Sequence, residues 1–351
     1  MGDMVKGNQA VAEAALRAGA EVYAGYPITP STEVMEYLSY RMEDLGRTFI
    51  QAESELAAIN MVMGVAACGR RVLTASSGPG ISLKQEGISY MAQYEYPCVI
   101  LNVVRWGNGL GALDGSQTDY LRETRGGGNG DYRNIVLCPS TVQESVDLMY
   151  EAFDLAEKYR NPVIVMTDSG LGQMMEPCEY PEFREIKKCS WGLDGTFKTP
   201  REDFLGRNLK AESDAYMKKV HAMRAAEQRW EAEGIEDAEY VFVAYGLPGR
   251  VVRGMVRQLR EKGGKVGYIR PITAWPYPEK AFEKVNPKVK GFISVENNGE
   301  GQMVEDVALT AKRLNLQAPI YVLPYVCGVP KDAQLLKDYN EIKEGKQKEV
   351  Y

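Results

Sequence analysis

Between residues 98 and 104 the chain reads CVILNVV, apolar at every position but Asn102. So short and so apolar a run fits a strand buried on both faces, as in a parallel sheet covered by helices. Other short runs rich in β-branched and aromatic residues stand at residues 21–26 (EVYAGY), 48–51, 71–76 (RVLTAS), 135–138 and 163–167 (VIVMT). Longer segments of helical character lie between them, at residues 7–18, 32–45, 54–68, 82–94 and 142–158. Strand and helix alternating in this way predict an α/β unit, a doubly wound parallel sheet with helices on both faces. The helix at 54–68 (SELAAINMVMGVAAC) is apolar for most of its length and is expected to be largely buried.

From about Tyr180 the alternation stops. Residues 190–209 are polar and rich in Gly, Pro and Asp, which suits a linker. Residues 211–233 read as a charged connector helix with Tyr216, Val220, Met223 and Trp230 on one side. A second α/β unit follows, with strands at 240–245 (YVFVAY), 265–269, 291–295 (GFISV) and 320–323. Its first strand leads into a turn at Gly246-Leu247-Pro248-Gly249. Helices are expected at 250–262 and 301–314, with a turn and short helix at 276–282.

At 351 residues and 44% hydrophobic, the chain is long enough for two domains whose cores need no staples. The formal net charge is −6 and no long basic block occurs, so nucleic acid is not an expected partner. The six cysteines (Cys68, Cys98, Cys138, Cys178, Cys189, Cys327) include no C-x-x-C pair, and His221 is the single histidine. A zinc site or iron–sulfur cluster held by this chain alone is therefore not expected; scattered thiols in apolar surroundings fit a reducing compartment. No apolar run approaches the roughly 18 residues of a membrane span, and no signal core opens the chain, so a cytoplasmic protein is expected.

Four segments carry candidate chemistry, each just past the end of a predicted strand, where ligands of parallel α/β sheets bind. The first is GYPITPST at residues 25–32, in which Pro27 and Pro30 restrict the backbone around the hydroxyl of Thr29. A plain strand-to-helix turn explains it equally well. The second is Gln51-Ala52-Glu53-Ser54-Glu55, where two acids open the apolar helix. Helix-dipole preference accounts for Glu53; a carboxyl at Glu55, in a buried helix start facing a cleft, is a candidate acid–base group. The third is Ser76-Ser77-Gly78-Pro79-Gly80, a small-residue turn that leaves room for a ligand but matches neither phosphate-loop spacing. The fourth is Arg105-Trp106-Gly107-Asn108-Gly109-Leu110-Gly111, whose guanidinium suits a carboxylate or phosphate, or a neighbouring acid. Gly126–Gly130 with Asp131 and Arg133 reads as a loop that shapes the site or a subunit contact.

Together these segments resemble the α subunit of the thiamine diphosphate-dependent 2-oxoacid:ferredoxin oxidoreductases. The resemblance rests on GYPITPST, AESELAA (52–58), SSGPGISLKQEG (76–87), RWGNGLG (105–111), QTDY (117–120), GDYR (130–133) and EDAEYVFVAYG (236–246), and spans nearly the whole chain. It implies a pyrimidine-binding-type domain at residues 1–189, a linker and connector helix at 190–235, and a smaller transketolase C-terminal-like domain at 236–351. By its place before LAAINMVMG, Glu55 is the glutamate that such a domain lends to N1′ of the cofactor's aminopyrimidine. It favours the tautomer whose 4′-nitrogen removes the C2 proton. Tyr26, Pro27, Ile28 and Thr29 would line the cofactor, with Thr29 near the reacting carbon. Arg105, Ser77, Gly78 and Asn108 would meet the 2-oxoacid or coenzyme A. Relatives more often carry R-x-G-P where Asn108 stands here; the bulk of Trp106 either narrows the pocket or stacks on a substrate.

The resemblance also implies an incomplete enzyme. No Gly-Asp-Gly diphosphate motif occurs, so Mg2+ and the diphosphate would be held by a thiamine-binding β subunit. The [4Fe-4S] clusters would belong to partner chains, γ and ferredoxin-like δ subunits among them, that pass electrons to ferredoxin. The implied reaction is oxidative decarboxylation of a 2-oxoacid with coenzyme A to acyl-CoA and CO2. A branched-chain acid is the first expectation, 2-oxoglutarate the second and pyruvate the third; a non-catalytic scaffold with the same fold is the alternative of another class.

Overall fold

A computed structural model describes residues 2–186, 189–193, 208–326 and 328–351. Most of the expected linker, residues 194–207, lies outside the described residues. The first unit runs β1 (Asp3–Lys6), α1 (Gly7–Arg17), β2 (Val22–Gly25), α2 (Thr32–Asp44), β3 (Thr48–Gln51), α3 (Glu55–Ala67), β4 (Val72–Ser76), α4 (Pro79–Tyr94), β5 (Val99–Val104), α5 (Tyr120–Arg125), β6 (Ile135–Leu137), α6 (Val142–Tyr159), β7 (Val163–Asp168), α7 (Ser169–Gln173) and β8 (Met175–Cys178). The second runs α8 (Leu209–Ala226), β9 (Trp230–Glu233), β10 (Tyr240–Val243), α9 (Gly246–Glu261), β11 (Val266–Pro271), β12 (Thr273–Trp275), a 3₁₀ turn (Glu279–Lys284), β13 (Gly291–Glu296), α10 (Val304–Arg313), β14 (Ile320–Pro324) and α11 (Asp332–Lys343).

The main sheet has seven strands in the order β12-β6-β7-β5-β4-β2-β3, parallel throughout except at β12. Its centre is β5, in which all six residues are buried, as expected of a strand covered on both faces. A five-stranded sheet, β14-β13-β10-β11-β9, is likewise parallel except at its edge strand β9. One hydrophobic core runs from the main sheet into Phe282 and Phe292 of the second unit. A second cluster gathers around Phe242, Val252, Tyr268 and Tyr339.

Several elements depart from the sequence reading. Helix α8 stops at Ala226, and Trp230 lies in β9, paired antiparallel with Pro271 of β11. Pairing with a strand distant in sequence overrides the local helical pattern there. The expected turn at 246–249 is the first turn of α9; Pro248 is tolerated because amides in a first turn have no helical acceptor. The β1–β8 ribbon, β12 and α11 were not expected. Strand β12 leaves the second unit and closes the edge of the main sheet against β6. The two units are further tied by Arg270, which grips Glu144 with two bonds of 2.9 and 3.0 Å, and by the Tyr120 hydroxyl, which donates to Asp306 at 2.7 Å.

Candidate active site

All four sequence-predicted segments lie at the carboxyl edge of the main sheet, after β2, β3, β4 and β5. The turn after β2 is held at several points. The Ser31 hydroxyl donates to the Ile28 carbonyl at 2.8 Å, and Asn8 on α1 reaches the Pro30 carbonyl at 2.9 Å. Arg105 donates to the Thr29 carbonyl at 2.8 Å, and the Thr29–Pro30 peptide is cis. Tyr26 and Thr29 are exposed, Pro27 and Ile28 half-buried. With its backbone clamped, Thr29 keeps its own hydroxyl without a hydrogen-bond partner among the described residues.

After β3 the chain separates the two acids. The Ser54 side chain caps α3, accepting from the Ala57 amide at 3.1 Å. Glu53, outside the helix, is exposed; Glu55, the first helical residue, is 6% exposed. Helix α4 starts directly against it. A Cβ at Gly80 would stand 2.6 Å from Glu55 Oε1 and would also collide with Ser76 Oγ, so only glycine admits this approach. Gly78, at φ +47°, makes the turn that aims α4 there.

Arg105 is 7% exposed. One guanidinium nitrogen serves the Thr29 carbonyl and another the Leu110 carbonyl at 2.7 Å, while its Nε–H is buried without a partner. Ser76 Oγ and Ser77 Oγ are also buried and unpartnered. Such groups are costly in a finished core and are expected where a ligand completes them. Ser77, Gly78 and Arg105 come together: a Cβ on Gly78 would lie 3.1 Å from Arg105 Nε. Asn108 does not join them. It sits on an exposed loop closed by the Trp106 amide on the Asp114 carbonyl at 2.8 Å and the Ala112 amide on the Trp106 carbonyl at 2.7 Å. Trp106 is half-buried at the foot of that loop.

Two features went unread in the sequence. Asn102 of β5 bonds Asp119 and Glu123 at 3.0 and 3.1 Å, and Arg122 bridges both acids. Burial pushes Glu123 up to about 6 against the pull of Arg122, and Asp119 is raised by the same cause. Arg122 also donates to the Gly78 carbonyl at 3.1 Å, fixing the turn from below. The second feature is Lys84, fully buried on α4, its ammonium bonded to Thr74 Oγ1 at 2.5 Å. Desolvation pushes it down to about 8, with Glu55 the main opposing influence. The available signal was its place between Ile81 and Ile88, on the stripe of α4 that faces the sheet.

The profile of the thiamine diphosphate-binding region of pyruvate flavodoxin/ferredoxin oxidoreductases matches residues 13–238, and that of pyruvate:ferredoxin oxidoreductase core domain II matches residues 238–328. The chain belongs to the thiamine diphosphate-dependent 2-oxoacid:ferredoxin oxidoreductase family. Among its relatives, a ketoisovalerate oxidoreductase subunit VorB of Methanothermobacter thermautotrophicus is 48% identical over 315 residues, covering 88% of this chain and 89% of that protein. A 2-oxoglutarate synthase subunit KorA of Methanocaldococcus jannaschii is 36% identical, covering 89% and 92%. The structure of a 2-oxoglutarate:ferredoxin oxidoreductase from Magnetococcus marinus, with 2-oxoglutarate, coenzyme A and succinyl-CoA bound, superposes with a TM-score of 0.82 at 26% identity. That alignment takes in 99% of this chain and 65% of the longer one. A split-gene transketolase shares the fold alone, at a TM-score of 0.59 and 12% identity.

For a member of this oxidoreductase family, the residues at the sheet edge fit an aromatic cofactor. Glu55 offers a buried carboxyl, Gly80 removes the side chain that would block it, and Ser76, Ser77 and Arg105 supply unpartnered polar atoms. Among the described residues no group of three or more His, Cys, Asp or Glu side chains is placed to hold a metal ion. No helix among them is long and apolar enough to cross a membrane.

Proposed function

We propose that this chain is the α subunit of a branched-chain 2-oxoacid:ferredoxin oxidoreductase and contributes half of a catalytic pocket completed by a thiamine-binding partner. The observation that carries the reading is the placement of Glu55: buried, at the start of α3, against the bare backbone of Gly80. When bound, thiamine diphosphate supplies the electron sink for decarboxylation. Glu55 would hold a proton at the pyrimidine ring from a site shielded from water. Tyr26, Pro27 and Ile28 would wall the ring, and the free Thr29 hydroxyl would orient the substrate. Arg105 keeps the turn and the following loop in register, and its unpartnered Nε–H, with Ser77 and Gly78, would meet the oxoacid or coenzyme A. Asn108 would act only through movement of its exposed loop.

Substrate class follows the 48% identity to a subunit named for ketoisovalerate, above the 36% to a 2-oxoglutarate synthase subunit. The partner side of the pocket is supported by exposed apolar side chains at the sheet edge that carries Glu55. Leu56 and Leu83 are nearly half exposed, and Leu110 and Leu113 more than half. All four stand on the helices and loops that follow β3, β4 and β5 at the same sheet edge, where exposed apolar side chains suit an interaction site. The occupant would be the β subunit that carries Mg2+ and diphosphate; γ and ferredoxin-like δ subunits with [4Fe-4S] clusters would carry electrons to ferredoxin. The free thiols of Cys68, Cys98, Cys138, Cys178 and Cys189 agree with a cytoplasmic setting.

The test is assembly of the full chain with its partners and assay of 3-methyl-2-oxobutanoate, 2-oxoglutarate and pyruvate with coenzyme A and a viologen dye. The branched acid should give the highest kcat/KM. Glu55→Gln should reduce oxidation of every 2-oxoacid by about 10²-fold or more, as loss of a positioned acid does, while Glu53→Gln stays near wild type. An E55Q complex with full turnover would end this reading.

A further inference from the structure

Arg105 stands where the main sheet lets go of the chain. The pairing of β5 with β7 ends at Val104 and Asp168, and the next residue, Arg105, pairs with Gly115 in an isolated antiparallel bridge. The loop between them closes on that bridge, and Leu110 within it takes a bond from the Arg105 guanidinium. The Thr118 hydroxyl adds a longer bond, 3.4 Å, to the Arg105 carbonyl. The main chain at Arg105 is therefore set by residues 115–118. The start of α7 crowds Gly115: a Cβ there would lie 3.1 Å from Asp168 Oδ1 and 3.1 Å from the Gly170 nitrogen. Its carbonyl accepts from Asn297 Nδ2 at 2.9 Å, across 182 residues of sequence.

Asn297 follows β13 of the second unit and is 1% exposed. It meets three consecutive residues of that segment. Besides the bond to Gly115, its carbonyl accepts from the Ser116 hydroxyl at 3.2 Å and the Gln117 amide at 2.7 Å, and its amide donates to Gln117 Oε1 at 2.9 Å. Its side-chain oxygen is buried without a partner, so the side chain serves the segment through the N–H it gives Gly115. Glu296, with no exposed surface, fixes Asn297 in turn. The Glu296 side chain accepts from the amides of Gln302, Met303 and Val304, where α10 begins, at 2.7, 2.9 and 2.9 Å. It also accepts from the Asn298 side chain and the Ser294 hydroxyl. A side chain that takes three helix-start amides makes the turn before the helix stiff. The other ties between the units end elsewhere: Arg270 reaches Glu144 on α6, and Asp306 receives Tyr120 of α5. Asn297 reaches the residue that pairs with Arg105.

We propose that Asn297 is a positioning residue: through its bond to Gly115, the second unit sets where Arg105 presents its guanidinium to the 2-oxoacid. Loss of the Asn297 N–H takes a donor from the buried base of the loop, while the main-chain bonds of residue 297 to Ser116 and Gln117 keep the units docked. The proposal rests on the reading of Arg105 as a substrate contact.

The experiment is steady-state kinetics of the full chain assembled with its partners, with 3-methyl-2-oxobutanoate varied, in a double-mutant cycle of Asn297→Ala and Arg105→Lys. N297A alone should raise KM about fivefold, the weight of one hydrogen bond, and leave kcat within about twofold. In the R105K background, where KM is already raised, N297A should add less than about twofold, because the group it positions has changed. Gly115→Ala crowds the same residue against Gly170 and leaves Asn297 intact. It should also raise KM, and it decides the matter if N297A does not assemble. Tyr120→Phe removes another buried bond between the units and should leave KM within about twofold of native. Equal fold-effects of N297A in both backgrounds, a rise in Y120F equal to that in N297A, or an unchanged KM in N297A and G115A overturns the proposal. An unchanged KM in R105K overturns the reading of Arg105, and with it the role of Asn297.

Discussion

Arg105 donates to the main-chain carbonyl of Thr29 at 2.8 Å across 76 residues of sequence. The bond joins the end of β5 to the turn after β2, and a second bond from the same guanidinium holds Leu110 on the following loop. The turn is therefore stiff for a tertiary reason as well as for its prolines. Lysine cannot serve both carbonyls from one point charge. Arg105→Lys should raise KM for the 2-oxoacid about tenfold in the assembled enzyme, as expected for loss of one charge-assisted bond of ~1.5 kcal/mol. Steady-state kinetics against oxoacid concentration check this.

Gly80 separates placement of the acid from stability. The Cβ in Gly80→Ala meets the tip of a flexible side chain, Glu55 Oε1, and a rotatable hydroxyl, Ser76 Oγ. Both can move aside, so the chain should fold with a melting temperature within a few degrees of native. The carboxyl is then displaced by roughly an ångström, and kcat should fall about 10²-fold. Activity retained in G80A would mean that the acid is not where the reaction needs it.

Gln117 bridges the two units. Its side chain donates to the Tyr245 carbonyl at 3.0 Å and accepts from the Asn297 amide at 2.9 Å, both buried, and its own amide reaches the Asn297 carbonyl at 2.7 Å. Gln117→Ala strands a buried N–H and a buried carbonyl, and should destabilise the chain by about 2–3 kcal/mol. Urea denaturation measures it.

Asp168 gives the stability a pH dependence of known sign. It caps α7 by accepting from the Leu171 amide at 2.9 Å, yet burial pushes it up to about 6. The folded state thus binds a proton that the unfolded chain releases near pH 4. Ionisation opposes folding, and stability contributed by this group is lost as pH rises from about 4 to about 6. At pH 7.5 the penalty is about 3 kcal/mol, from a shift of roughly two units. Melting curves at pH 5 and 7.5 should differ less in Asp168→Asn than in the native chain.

Read one residue at a time, the sequence already determined the alternation of short apolar strands and helices, the parallel sheet, and the burial of Glu55 beside an exposed Glu53. A strand buried on both faces must be apolar, and an acid inside an apolar helix start is conspicuous. That Thr29, Ser77, Gly78 and Arg105 lie at the carboxyl edge of the sheet was legible too, because each follows a parallel strand. Only the tertiary structure decided the rest. Trp230 joined a strand, and β12 crossed into the first sheet, since edge pairing depends on partners distant in the chain. Asn108 was carried away on an exposed loop. Lys84 shares the sheet-facing stripe of α4 with Ile81 and Ile88 in the sequence, but its loss of water and its bond to Thr74 of β4 followed only from packing. Local pattern fixes which face of an element is apolar, whereas desolvation and charge pairing arise only once elements pack.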